Sequence, residues 1–151
     1  MSPKKPAIET DLVHQFVNDA HSDFDSVKKL LKKEPALANA SWDWGGGDWE
    51  TGLGAAAHMG RKNIAEHLLQ KGARIDLFAA AMLGKLDIVQ AVVADDPSVI
   101  DEPGPHGISL MAHARKGGKE AAEVVKLLQS VGKPARTASK RPKPKAKKTK
   151  A

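Results

Sequence analysis

Residues 51–76, TGLGAAAHMGRKNIAEHLLQKGARID, contain the pattern that decides the fold. In the second half, apolar residues recur at positions i, i+1, i+4 and i+5, which are Ile64, Ala65, Leu68 and Leu69. This spacing forms one apolar stripe on an amphipathic helix. The first half is rich in Ala, a strong helix former. Gly60 lies between the halves, where a tight turn needs the left-handed backbone angles that Gly accepts. The stretch therefore predicts two short helices joined by a turn.

The same pattern occurs at three other places in the chain. Residues 22–39 align without gaps with residues 84–101, at an offset of 62 positions. A fourth copy begins near Gly117 and ends near residue 132. By analogy with Gly60, Gly84 and Gly117 are predicted to be turn glycines. One helix pair cannot bury its narrow apolar face alone, whereas stacked pairs can. The repeats thus predict four stacked helix pairs over residues 11–132.

Residues 51–76 also resemble the ankyrin repeat, which has a T-P-L-H start, a turn Gly, paired aliphatic residues and a closing G-A. The matching residues are Thr51, Leu53, Ala56, Ala57, Gly60, Ile64, Leu68, Leu69, Gly72, Ala73 and Asp76. Gly52 and Gly54 depart from the pattern, and the repeats are irregularly spaced. The second β-turn finger is predicted to be missing, so that Asp76 leads directly into a helix. The resemblance implies an all-α, ankyrin-like solenoid of about four helix pairs and a role in protein–protein interaction.

Basic residues are concentrated at the end of the chain. Residues 133–151 hold nine Lys or Arg and no Asp or Glu, which leaves a net charge of −3 for the preceding 132 residues. This Pro-containing tail has no large apolar residue to bury, so we predict that it is disordered. Residues 1–10 are predicted to be a flexible N-terminus. It is either an appendage or a site that attracts nucleic acid non-specifically. The residues proposed for that electrostatic role are Lys140, Arg141, Lys143, Lys145, Lys147 and Lys148.

Composition excludes several classes of protein. The chain has no Cys, which excludes disulfides, thiol catalysis and Cys-ligated zinc. No apolar run is long enough to span a membrane, and the N-terminus lacks the apolar stretch of a secretory signal. These features predict a cytoplasmic monomer that does not associate with membranes.

Aromatic residues are scarce except in residues 39–50, NASWDWGGGDWE, which we call the Trp finger. It contains all three Trp residues of the chain, Trp42, Trp44 and Trp49. Their side chains either cap the apolar edge of the repeats or form an exposed binding surface, since Trp is enriched at binding hot spots. The ankyrin resemblance implies a second surface, on the concave side of the repeats, at His58, Met59, Met82 and Leu83. Alternatively, Met82 and Leu83 fold into the core.

The histidines show no metal-binding spacing in the sequence. The six residues His14, His21, His58, His67, His106 and His113 form no HExxH motif and no pair at i, i+4. We therefore predict no metal, cofactor or catalytic site, with His113 in the core and His106 bracing a turn. An enzyme or small-ligand binder would need His58, Asp76 and His106 to converge on one pocket. The favoured function is a non-enzymatic module that presents the Trp finger and the concave surface to a protein partner. The alternative is nucleic-acid association through the tail.

Overall fold

The computed structural model describes residues 4–132, and they are mostly helical, as predicted. Eight α-helices lie in this part of the chain: α1 (Thr10–Asp19), α2 (Phe24–Lys33), α3 (Gly52–His58), α4 (Lys62–Gln70), α5 (Leu77–Met82), α6 (Leu86–Asp95), α7 (Leu110–Lys116) and α8 (Ala122–Gly132). Short 3-10 helices cover Pro35–Asn39, Pro97–Asp101, Pro105–Gly107 and Gly118–Ala121. The predicted tail and its basic residues lie outside the described residues. Within residues 4–132, every helix is too short or too polar to cross a membrane.

The helices contact one another in consecutive pairs, and the first helices of successive pairs also touch. Thus α1 packs on α2 and α3, α3 packs on α4 and α5, and α5 packs on α6 and α7. One apolar cluster, with Phe16, Leu53 and Leu68 fully buried, joins the first four helices. A second, with Leu110 and Val124 fully buried, joins the last four. Helix α5 contributes to both clusters and therefore joins the two halves of the core.

The internal repeat of the sequence is visible in the structure. The first residues of α2 and α6 are 62 positions apart, and so are their last residues. The 3-10 helices that follow α2 and α6 are related by the same offset. Each 3-10 helix is capped by an acidic side chain at its start, Glu34 or Asp96, which accepts a hydrogen bond from a backbone N–H two residues later. Asp76 caps α5, directly before Leu77, by accepting a hydrogen bond from the backbone N–H of Ala79, three residues later. The prediction that Asp76 leads straight into a helix is confirmed.

The turn glycines were predicted correctly at two of three positions. Gly60 and Gly84 adopt left-handed φ angles of 70° and 72°. The prediction for Gly117 was wrong, because its φ is −75° and the left-handed residue is Gly118. Gly117 is required for a different reason: a Cβ there would overlap the carbonyl oxygen of Met82.

The Trp finger adds a β-hairpin to the predicted all-α fold. Strands β1 (Ser41–Asp43) and β2 (Trp49–Thr51) pair antiparallel, with Trp42 opposite Glu50. Between them, Gly45, Gly46 and Gly47 all have positive φ. Trp42 and Trp44 pack partly buried against the first apolar cluster, whereas Trp49 is 60% exposed. The capping and exposed interpretations therefore hold for different Trp side chains.

The predicted concave surface is only partly available. Met59 is exposed, and Leu83 is half-buried. Met82 is completely buried in the first apolar cluster, so its assignment to a partner-binding surface was wrong. Helix α5 ends at Met82. The side chain of Met82 fills the space where α5 packs on the other helices.

Candidate metal centre

Three histidines and one glutamate from separate segments meet at one place, which we call the His–Glu cluster. Its members are His21, Glu50, His58 and His106, and one ligand atom from each lies within 4.8 Å of all the others. His21 follows α1, Glu50 is on β2, His58 ends α3 and His106 lies in the loop before α7. The hairpin and the helix ends thus bring together side chains that are remote in sequence.

Glu50 forms the floor of the cluster. The residue is only 1% exposed, which is costly for a charged group unless it is paired. Trp44 donates its indole N–H to Oε1 of Glu50 at 2.7 Å. The other oxygen, Oε2, lies 2.9 Å from Nε2 of His58 and 3.2 Å from Nε2 of His106. Trp44 therefore holds Oε1, while Oε2 faces two imidazole nitrogens.

The orientation of His21 is set by the main chain of α1. Its Nδ1 lies 3.0 Å from the carbonyl oxygens of both Val17 and Asn18. Carbonyl oxygens only accept hydrogen bonds, so Nδ1 carries the proton and donates it. In the neutral ring, Nε2 is then an unprotonated acceptor, and it faces Oε1 of Glu50 at 3.4 Å.

Asp48 sets the orientation of His106 in the same way. Oδ2 of Asp48 lies 2.7 Å from Nδ1 of His106, and Oδ1 accepts the backbone N–H of His106 at 2.8 Å. The backbone N–H of His106 lowers the pKa of Asp48, so the carboxylate is ionised and Nδ1 must be the donor. His106 is also the one non-glycine residue with positive φ (61°) in residues 4–132. Such backbone strain is typical of functional sites.

These bonds aim the Nε2 atoms of two imidazole rings at a carboxylate. With only Nδ1 protonated, Nε2 of His21 and Nε2 of His106 would both present lone pairs to Glu50, where two acceptors repel each other. His58 adds a third nitrogen, because its Nε2 lies 2.9 Å from Oε2 of the same carboxylate. The arrangement therefore requires a cation between the four groups, which can be a proton or a metal ion.

The pKa values of the cluster agree with this requirement. Burial alone raises the pKa of Glu50, but the neighbouring His21, His58 and Trp44 groups outweigh burial and hold that pKa well below its ordinary value. The interaction with Glu50 raises the pKa of His21, against the opposing effect of burial. Glu50 is thus an anion that attracts positive charge to its neighbours.

The geometry also fits a first-row metal ion. A tetrahedral zinc ion with bonds of about 2.0–2.2 Å holds its ligand atoms about 3.3–3.6 Å apart. Oε2 of Glu50 lies 2.9 Å from Nε2 of His58 and 3.2 Å from Nε2 of His106, and Oε1 lies 3.4 Å from Nε2 of His21. The four ligand atoms as a set lie within 4.8 Å of one another, so a bound ion would draw the most distant of them closer. Imidazole nitrogens suit zinc, copper, iron and nickel, and a carboxylate oxygen completes sites for several of these ions. The side-chain exposure increases from 0% for Glu50 to 29% for His106, so an ion would enter from the His106 side.

The sequence analysis did not predict this cluster. Its members are 29, 8 and 48 positions apart, so no local spacing motif could reveal them. The convergence required for a small-ligand site occurs for His58 and His106 but not for Asp76, which caps α5 by accepting the Ala79 N–H at 2.8 Å. The prediction for His113 is confirmed, since it is fully buried and its Nδ1 lies 2.8 Å from the Ser109 carbonyl oxygen.

Comparison with known proteins gives no match: no protein-family model fits the sequence, and no curated protein is significantly similar to it.

Proposed function

We propose that the protein binds one first-row transition metal ion, with zinc as the first candidate, through His21, Glu50, His58 and His106. The observation that carries this proposal is the pair of imidazole rings whose Nδ1 atoms face hydrogen-bond acceptors, so that both Nε2 atoms face the buried Glu50 carboxylate. A metal ion accepts all these lone pairs at once, whereas a single proton satisfies only one acceptor pair.

The groups behind the ligands support the same function. Metal-binding histidines almost always donate their second ring N–H to a carboxylate or a backbone carbonyl, which fixes the ring and makes it more basic. Asp48 does this for His106, and the last turn of α1 does it for His21. Trp44 orients Glu50 in turn, through the bond to Oε1. These contacts would pre-orient the ligands before an ion arrives.

Calorimetric titration of the chelator-treated full chain with zinc tests the proposal. We expect one ion per chain, and we expect His58→Gln to weaken binding at least about tenfold, because it removes a ligand. His67→Gln is the matched control, since His67 lies on α4 outside the cluster and its loss should leave affinity unchanged. Binding that is absent, or that is equal in both variants, would contradict the proposal.

We also propose that the helix pairs form an ankyrin-like solenoid that presents a protein-binding surface. Contacts between the successive first helices α1, α3, α5 and α7 support the stacking. The exposed Trp49 favours a binding role, because a large aromatic side chain at the surface is typical of interaction hot spots. Capture of partners by immobilised wild-type chain and by Trp49→Ala tests this role. A partner that binds both chains equally would contradict a role for Trp49.

A further inference from the structure

A basic groove lies in the first half of the helical domain, and none of the four residues of the His–Glu cluster lines it. It is a cavity of about 750 Å³ between α2 and α4, which we call the Lys groove. The lining residues are Asp25, Lys28, Lys29, Leu31, Lys32, Pro35, His67 and Lys71. Its size is that of a typical small-molecule site.

The charge of the Lys groove is opposite to that of the surrounding protein. Four lysines and one aspartate line it, giving a local charge of +3 with neutral His67. Residues 1–132 as a whole carry −3. Asp25 lies 3.7 Å from Lys28, so its negative charge acts mainly on Lys28. The positive charges of the other three lysines remain largely uncompensated. Lys28 and Lys32 are also four positions apart on α2, where like charges repel across one helical turn.

The internal repeat shows that the fold does not need these lysines. Helix α6 is the copy of α2 at an offset of 62, and it has the same length and the same following 3-10 helix. The residues of α6 that correspond to Lys28, Lys29 and Lys32 are Gln90, Ala91 and Ala94. Because the same architecture forms without basic residues there, the lysines of α2 add repulsion that the fold does not require.

We infer that the Lys groove binds a small molecule that carries several phosphate groups. Lysine ammonium groups bind phosphate as point charges, and several phosphates in a chain would meet the lysines of α2 together with Lys71, which directly follows α4. Leu31 and Pro35 supply apolar lining for an organic part of the ligand. A bound polyphosphate would screen the repulsion between the lysines of α2, which adds a favourable contribution to its binding free energy.

His67 provides a local reporter of binding. Burial lowers its pKa first, and the positive charges of Lys71 and Lys28 lower it further. A bound phosphate would neutralise these lysines, and the ring resonances of His67 should shift on titration. If the same ligand bound at another site, the ring resonances of His67 would not shift.

The test is calorimetric titration of the metal-free full chain with inorganic triphosphate, with adenosine triphosphate and with adenosine. The groove variant is K28Q/K29A/K32A, which introduces the residues that α6 already tolerates. The matched control is K4A/K5A/K119A, which removes the same charge from exposed lysines that do not line the groove. Circular dichroism checks the fold, and Lys71→Gln provides a second groove variant at the end of α4, on the other side of the groove.

We expect both triphosphates to bind the wild-type chain and the control, with adenosine not binding. The groove variant should lose at least about tenfold in affinity, because it removes three charge-assisted contacts. Lys71→Gln should weaken binding in the same direction, and His67 should shift only with the triphosphates. The inference is overturned by absence of binding to wild type, by unchanged affinity in the groove variants, by equal loss in the control, or by binding of adenosine alone.

Discussion

Asp48 and His106 are joined by two hydrogen bonds, one to the ring and one to the backbone of His106. They are 58 positions apart in sequence, and their contact ties the Trp finger to the loop before α7. The left-handed backbone of His106 costs energy that the Asp48 contacts help to offset. At the scale of single residues, a carboxylate outside the His–Glu cluster thus controls where one ring of the cluster points.

Asp48→Asn tests this positioning role. The amide keeps the size of the side chain but lacks the charge that holds Nδ1–H of His106, so zinc affinity should fall by about 10- to 100-fold. The matched control is Asp43→Asn on the same hairpin, where Oδ1 accepts the N–H groups of Gly45 and Gly47. Calorimetry on both variants measures the effect. Equal loss in both would show that the hairpin as a whole, and not Asp48, supports the site.

His113 should make stability depend on pH. Burial lowers its pKa below the ordinary value of about 6.5. In the unfolded chain it therefore takes up a proton as pH falls through about 6.5, whereas the folded chain resists until lower pH, so the free energy of unfolding falls in that window. Its ring packs on Phe78, while Asp76, His58 and Glu50 act on it through their charges.

His113→Leu, of similar size but without a titrating group, should show a smaller loss of stability between about pH 7.5 and about pH 5.5 than the wild type. Urea unfolding of metal-free protein at both pH values gives the comparison. An equal loss in variant and wild type would contradict the assignment.

Among the elements, helices could be predicted from sequence and the His–Glu cluster could not. The stripes that form α2 and α6 are local patterns, and Val27 and Val89 are buried at the positions where the periodicity places them. The His–Glu cluster depends on where a hairpin and a loop pack against helix ends. His106 also has a backbone conformation that no periodicity indicates.

Gly84 and Gly72 differ in the constraints that disfavour a side chain at each position. Gly84 has a positive φ, and a Cβ there would overlap the backbone oxygen of Glu120, in the segment that precedes α8. Gly72 also has a positive φ (97°), but its Cβ position is open. Gly84 therefore serves both a turn and a close approach between helix pairs, while Gly72 serves the turn alone.

Gly72→Ala should cost about 1–2 kcal/mol of unfolding free energy, the price of left-handed backbone for Ala. Gly84→Ala should cost more than about 3 kcal/mol, because the backbone of the fourth pair must also move. Denaturant unfolding of both variants measures the difference. Equal costs would show that the approach to Glu120 is not tight in solution.

At the scale of the whole molecule, the proposed ion would link α1, the hairpin, α3 and the loop before α7. Ligand binding to the folded state alone stabilises it by about 2.7 kcal/mol when free ligand is 100 times the dissociation constant. For a domain of this size, the melting temperature should rise by roughly 10 °C. Thermal melts with zinc and after chelation measure this rise, and Glu50→Gln should reduce it.

Cobalt(II) titration of the chelator-treated full chain, followed by visible absorption, tests the metal centre most directly, because the spectrum reports the ligand atoms and their geometry. We expect intense bands typical of four- or five-coordinate nitrogen and oxygen ligation, saturation at one ion per chain and displacement by zinc. His58→Gln and His106→Gln should each change or abolish the bands, while His67→Gln should leave them unaltered. A weak spectrum like that of hydrated cobalt, or bands unaffected by loss of His58 and His106, would contradict the proposed site.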